Sequence, residues 1–193
     1  MIWAIILAAG ESKRMGKQKL LLPFGEKTIV ETVIENAVQS RVEKVLIVLG
    51  ANKDEIENKI RDLPIKIVLN PNFSTGMLSS IKEGFQEAPE IVQAVLIMLG
   101  DQPSISADTI NKVIDTYQKT KKGIILPIYK NERGHPILID MKYRKEIENL
   151  NPEIGLRELV YRQSEDILEV EVEASDILND IDDMKDYERE IKK

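Results

Sequence analysis

An α/β fold, with a mostly parallel central sheet and helices flanking it in three layers, is what this 193-residue sequence predicts, and three observations predict it. Apolar runs of strand length alternate with amphipathic segments of helical length from the first residues onward, the pattern of βαβ units. The most apolar run, residues 92–99, reads as a strand covered on both faces near the middle of the sheet. Polar, glycine-containing segments follow the runs ending at Ala9 and Leu99, so loop chemistry gathers beyond the carboxyl ends of strands.

The elements follow in order. Residues 2–9 form the first buried strand, and a glycine-rich polar loop extends to about residue 24. Thr28 caps a helix whose apolar positions Ile29, Val33, Ile34 and Ala37 recur at helical spacing. Residues 42–49 are the second buried strand, 53–61 a short helix, 65–69 a third strand, and 77–86 a helix entered through Ser74, Thr75 and Gly76. Past the central strand and Gly100-Asp101-Gln102-Pro103, a helix is predicted over 107–121. Residues 123–129 and 136–139 read as strands around a polar turn at 130–134, a small antiparallel hairpin. Helices at 142–149 and 155–162 precede an alternating strand at 167–172, and Asp180-Ile181-Asp182-Asp183 leads into a charged helix. No repeat, low-complexity tract or long linker divides the chain, so residues 1–193 are expected to form one domain.

Composition narrows the chemistry. Hydrophobic residues make up 42% and charged residues 31%, ordinary for a soluble globular protein. The apolar runs are too short for a bilayer crossing, and no signal peptide pattern precedes the first strand, so a cytoplasmic location is expected. Zero cysteines exclude a disulfide framework, a thiolate metal site and a cysteine nucleophile, leaving oxygen ligands for any metal. One histidine, His135, leaves acid–base work to carboxylates, lysines or the substrate itself. A net charge of −6 argues against nucleic-acid binding. Positive charge is instead concentrated early, at Lys13, Arg14, Lys17 and Lys19.

Those cations belong to a phosphate loop. The segment Leu7-Ala8-Ala9-Gly10-Glu11-Ser12-Lys13-Arg14-Met15-Gly16-Lys17-Gln18-Lys19 leaves a buried strand with small residues first. Ala8, Ala9 and Gly10 let the backbone approach a ligand, and successive amides there line an anion-binding nest. Arg14 supplies a fork for two phosphate oxygens and Lys19 a movable point charge. Gln18 stands where a Walker loop needs Ser or Thr, and no Gly-x-Gly-x-x-Gly of a dinucleotide fold is present.

Asp101 follows the central strand directly, which sets a carboxylate where open α/β sheets bind ligands. A hard cation bridging phosphates needs only one or two carboxylates and keeps its waters, so Asp101 is the metal candidate. Asp180 and Asp182 alternate on an extended segment and are candidate second ligands, or acids attracted by a helix N-terminus. Asn70, Gly76 and Ser80 either contact the nucleotide or cap the helix they precede. Arg133-Gly134-His135-Pro136 suits an acceptor site or a bare hairpin tip, and Arg157 faces an anionic acceptor or solvent. The half up to residue 103 is thus the nucleotide-binding one and residues 104–193 the acceptor-binding one.

Leu-Ala-Ala-Gly-x-Ser-x-Arg-Met-Gly-x-x-Lys, Asn70-Pro71, Gly76-Met77 with Ser80, Gly100-Asp101-Gln102-Pro103, Gly134-His135-Pro136 and Gly155-Leu156-Arg157 occur in that order. Together they resemble the molybdenum cofactor cytidylyltransferases, members of the MobA-like nucleotidyltransferases with the GT-A-like nucleotide-diphospho-sugar transferase fold. The resemblance runs from about residue 2 to about residue 187. It implies CTP on the loop from Gly10 to Lys19, Mg2+ on Asp101, and catalytic roles for Arg14, Lys19 and Asp101. The nucleotide contacts would be Leu7, Ala8, Ala9, Gly10, Ser12, Arg14, Lys19, Asn70, Gly76 and Ser80. The acceptor, a molybdopterin cofactor, would meet Gln102, Gly134, His135 and Arg157. The double alanine before Gly10 matches the cytidine version of the loop, whereas guanylyl relatives tend to carry Ala-Gly-Gly. A closing Asp-x-Asp-Thr-Pro-x-Asp is usual in the superfamily, and here Asp182 is followed by Asp183 and Met184. A molybdenum hydroxylase apoenzyme is a further implied partner.

Three other readings compete: transfer to a sugar phosphate or similar acceptor, a non-catalytic chaperone that hands over the pterin cofactor, and a nicotinamide oxidoreductase. The last is disfavoured by the missing dinucleotide fingerprint.

Overall fold

The computed structural model of the chain describes residues 1–12, 15–173 and 175–192. β1 (Ile2–Ala8) is buried along nearly its whole length, and its side chains alternate between two cores. Ile2, Ala4, Ile6 and Ala8 enter one, Trp3 and Ile5 the other, which is the period-2 consequence of a strand sandwiched between helices. A two-stranded ribbon of β2 (Pro23–Phe24) and β3 (Lys27–Thr28) follows, turning at Gly25-Glu26, a feature the sequence reading did not separate from the loop.

Thr28 caps α1 (Ile29–Gln39) as expected, through a full capping box. Its hydroxyl accepts from the amide of Glu31, whose carboxylate accepts from the amide of Thr28 at 2.9 Å. β4 (Lys44–Leu49), α2 (Lys53–Ile60), β5 (Lys66–Leu69) and α3 (Met77–Glu87) come next, then β6 (Ala94–Leu99) and α4 (Ala107–Thr120), capped by Ser106. The second and central strands begin two residues later than the apolar runs suggest, because Val42 and Val92 pack in the turns before them.

β7 (Ile124–Tyr129) turns into β8 (Glu132–Arg133), with Ile128 opposite Arg133. β9 (Ile137–Asp140) then pairs antiparallel with the start of β7, as the expected hairpin requires, and also with β6 on its other side. A turn at Met141–Tyr143 leads into α5 (Arg144–Glu148), followed by α6 (Leu156–Arg162), β10 (Ile167–Glu171) and α7 (Met184–Glu190).

The sheet runs β10-β7-β9-β6-β1-β4-β5, with β8 attached to β7. β1 is parallel to both β4 and β6, and β10 to β7, so β9 and the short β8 are the reversed strands. Helices α1, α2 and α4 cover one face, while α3, α5 and α6 cover the other, completing three layers. Among the described residues no helix is long and apolar enough to cross a membrane. The parallel strands β1 and β6 end side by side, Leu7 opposite Leu99, and the site lies beyond those ends.

Candidate functional site

A cleft of about 590 Å³ opens where β1 and β6 end. One wall is the first turn of the early loop: Leu7, Ala8, Ala9, Gly10 and Ser12 all line it. Ser12 turns the chain at φ 51° and its hydroxyl donates to Gln18 Oε1 at 2.8 Å while accepting from the amide of Lys19 at 3.2 Å. The amide of Met15 donates to the Ser12 carbonyl at 3.1 Å. The loop is therefore braced by its own polar groups, and the Ser12 hydroxyl serves that bracing. Gln18 is a residue the sequence reading passed over except as a misfit to another motif. Arg14, the expected phosphate fork, lies outside the described residues.

Lys19 crosses the cleft. Its ammonium sits 2.6 Å from Asp101 Oδ2 and 3.2 Å from Asp182 Oδ1, so the early loop, the mid-chain acid and the late acidic run meet at one nitrogen. The lysine and Asp101 side chains are 16% and 19% exposed. Burial alone would lower the Lys19 pKa, but the Asp101 charge and hydrogen bond, with Asp182 adding to both, hold it above the ordinary lysine value. Burial pushes the Asp101 carboxyl upward, more than Lys19 draws it down, and Asp180 adds repulsion of the same sign. A buried carboxylate of this kind demands a cation beside it. The late segment is pinned to the strand end by the amide of Ile181, which donates to the Asp101 carbonyl at 3.1 Å. Asp180 and Asp182 both line the cleft, while Asp183, not Asp182, caps α7.

Among the described residues no three His, Asp or Glu side chains cluster to cage a metal. Asp101 and Asp182 share the Lys19 ammonium, which gives two carboxylates at one point in an oxygen-only donor set. That set fits a hard divalent cation which completes its shell with water and phosphate oxygens, and it does not fit a protein-only cage.

The opposite wall is the entrance to α3. Gly76 lines the cleft at φ 109°, ψ 171°, a conformation open to glycine alone, and Ser80 lines it one turn further on. Asn70, expected among the nucleotide contacts, is 2% exposed and lies behind the cleft lining; its amide nitrogen donates to Ser79 Oγ at 2.7 Å and Ser80 Oγ at 2.9 Å, and its oxygen accepts from the Asn72 amide. Those bonds hold Asn70 against the turn and orient Ser80 beside the cleft.

Beside the cleft lies a larger groove of about 1610 Å³, with Met77 in the wall of both. Gly134, His135 and Arg157 line it, as does Gly155 at the start of α6. A Cβ on Gly134 would stand 2.3 Å from the Ile177 carbonyl oxygen, so only glycine fits there. The His135 amide donates to that same carbonyl at 3.2 Å, and burial lowers the imidazole pKa to about 4, leaving it neutral near pH 7. Gln102, expected on the acceptor side, lines neither hollow, is 3% exposed, and its amide nitrogen donates to the Ile177 carbonyl at 3.4 Å, because the late segment packs over it. Sequence reasoning missed Met77, Ile154 and Tyr161, which line the groove while 58%, 49% and 86% exposed. Tyr161 carried a usable signal, an aromatic on the otherwise charged face of a short helix.

Residues 4–167 match the family described as MobA-like NTP transferase domain. A molybdenum cofactor cytidylyltransferase of Escherichia coli K12 is 29% identical over 184 residues, covering 95% of this chain and 92% of that protein. A protein of Paenarthrobacter nicotinovorans called nicotine blue oxidoreductase is 32% identical over 151 residues, covering 74% and 72%. Among solved structures, Rv0371c of Mycobacterium tuberculosis H37Rv superimposes with a TM-score of 0.89 at 24% identity, over 100% of this chain and 97% of that one. A CMP:2-keto-3-deoxy-manno-octonic acid synthetase complexed with CTP does so with 0.81 at 14% identity, over 99% and 97%. These structural likenesses show the shared fold.

Proposed function

The chain belongs to the MobA-like NTP transferase family, a family of nucleotidyltransferases, and from that premise we propose that it moves CMP from CTP to the terminal phosphate of a molybdopterin cofactor, releasing pyrophosphate. The observation that carries the proposal is the 2.6 Å contact between Lys19 and Asp101, which joins a phosphate-type loop to an acid at the end of the central strand. The 29%-identical relative named for this activity and the paired alanines before Gly10 support the choice of base and acceptor.

In this reading the main-chain amides that follow Leu7 receive the triphosphate, and Lys19 with Arg14 neutralises the β- and γ-phosphates. Asp101 and Asp182 would hold Mg2+, which when bound supplies Lewis-acid polarisation of the phosphate oxygens. The terminal phosphate oxygen of the acceptor attacks the α-phosphorus in line; a P–O bond forms there, and the bond to the β-phosphate breaks with its electrons leaving on pyrophosphate. An ionised phosphate nucleophile needs no strong base, which suits a site without cysteine whose one imidazole is neutral. Neutral His135 and cationic Arg157 would orient the acceptor in the groove. A molybdenum hydroxylase apoenzyme would be the recipient of the product.

The test is pyrophosphate release with purified molybdopterin cofactor and each of the four NTPs. Turnover with CTP above the others is the expected result; turnover only with a sugar phosphate acceptor would assign the chain to that branch of the same chemistry. CTP and cofactor binding without pyrophosphate would favour the handover chaperone. One relative is named as an oxidoreductase, yet the turn after β1 holds the cationic loop and not a dinucleotide fingerprint, so hydride transfer is not the reading retained.

A further inference from the structure

We infer that the Lys19 ammonium is a built-in stand-in for the divalent cation, so that metal and triphosphate enter the cleft together and the metal alone is held off. This rests on the nucleotidyltransferase reading and concerns the order in which that site fills. The observation is positional. One nitrogen lies within ion-pair distance of Asp101 and Asp182, the same two carboxylates that suit the metal, although they come from the central strand end and from the late acidic run. Oδ2 of Asp101 cannot touch an ammonium at 2.6 Å and a small divalent cation at about 2.1 Å without bringing like charges close together in a poorly solvated place. Even on the other oxygen of either carboxylate the metal would lie close to the ammonium, so Lys19 in this position opposes metal binding.

Leaving is unfavourable while the cleft holds no anion, because a buried ammonium without its counter-charge is costly. A triphosphate changes that balance. Its oxygens offer Lys19 a new partner on the loop side, and the four-carbon stem lets the ammonium swing from acid to phosphate without moving the backbone. The side of Asp101 and Asp182 that Lys19 held is then open to the metal. The two ligands are thus coupled through one side chain, with a reciprocal gain in affinity. The same ion pair gives Asp101 and Asp182 a shared counter-charge before substrate arrives.

The experiment is Mn2+ binding to the full chain without nucleotide, read by the free-ion electron paramagnetic resonance signal, in the unaltered protein and in Lys19→Met, Lys19→Arg and Asp101→Asn. Thermal melts show that each variant is folded. The stand-in role predicts weak Mn2+ binding in the unaltered protein and in Lys19→Arg, about tenfold tighter binding in Lys19→Met, equivalent to ~1.4 kcal/mol, and loss of that gain in Lys19→Met/Asp101→Asn. Equal Mn2+ affinity in the unaltered protein and Lys19→Met, still abolished by Asp101→Asn, overturns the stand-in and leaves the metal assignment intact. Mn2+ binding indifferent to Asp101→Asn removes the metal assignment itself and the inference with it.

Discussion

The cleft and the groove beside it share Met77 but are made differently. The cleft is compact and charged, closed by main chain from one loop and by three side chains that meet at a single nitrogen. The groove is almost three times larger, walled by exposed Met77, Ile154 and Tyr161 with Arg157 and a neutral imidazole among them. A triphosphate is the same in every nucleotide and rewards fixed backbone geometry, whereas an acceptor with a ring system calls for broad apolar walls and a few placed polar groups. The chemistry is expected to reside in the cleft and acceptor selection in the groove.

That division can be broken by substitution. Asp101→Ala should have the largest effect, lowering kcat by roughly 10²–10³-fold while a circular dichroism melt shows the fold retained; turnover near the unaltered rate would remove Asp101 from the chemistry. Lys19→Ala should follow, with kcat/KM for CTP down about 100-fold through loss of a charge-assisted phosphate contact. Calorimetric CTP affinity that does not weaken would move the triphosphate elsewhere. Arg157→Ala tests the other hollow and should raise KM for the acceptor about tenfold while the Kd for CTP stays put, so a change confined to CTP would reverse the assignment of the two hollows. Gly134→Ala should destabilise by about 1–3 kcal/mol in denaturant unfolding, since its Cβ meets the Ile177 carbonyl at 2.3 Å.

The smallest effect concerns pH. The His135 pKa falls from 6.5 to about 4 in the folded chain, so the native state binds fewer protons than the unfolded one between those values. Its stability contribution is complete above pH 6.5 and declines as pH falls toward 4. The difference in melting temperature between the unaltered protein and His135→Gln should change across that window and stay constant above it; a difference independent of pH throughout would show that the imidazole pKa is not lowered by folding.

The sequence made the cleft far more legible than the groove. Loop and acid each follow a strand whose apolar run is unmistakable, and parallel strands must carry both to the same edge. The capping box at Thr28 and Glu31 was legible for the same reason, being a matter of spacing within one helix. The burial of Asn70 and Gln102 was not legible because residue type says nothing of direction: both are polar residues following strands, and tertiary packing turned one toward Ser80 and the other beneath Ile177. The groove draws on α3, the β8–β9 connection, α6 and β10, far apart in sequence, so no local pattern announced it. Nor did hydrophobic periodicity reveal that β9 separates β6 from β7, because strand order depends on which edges remain open when a segment arrives.

β9 carries a mechanical consequence. It is hydrogen-bonded on both flanks, to the strand that ends at the cleft and to the strand from which the groove's rim departs. A slip of one residue along either neighbour would turn all its side chains inside out. The pairing of β9 thus fixes the spacing between the two hollows, and under the proposed function a donor and acceptor whose reactive ends do not span it are expected to bind without reacting, rejected by length and not by affinity.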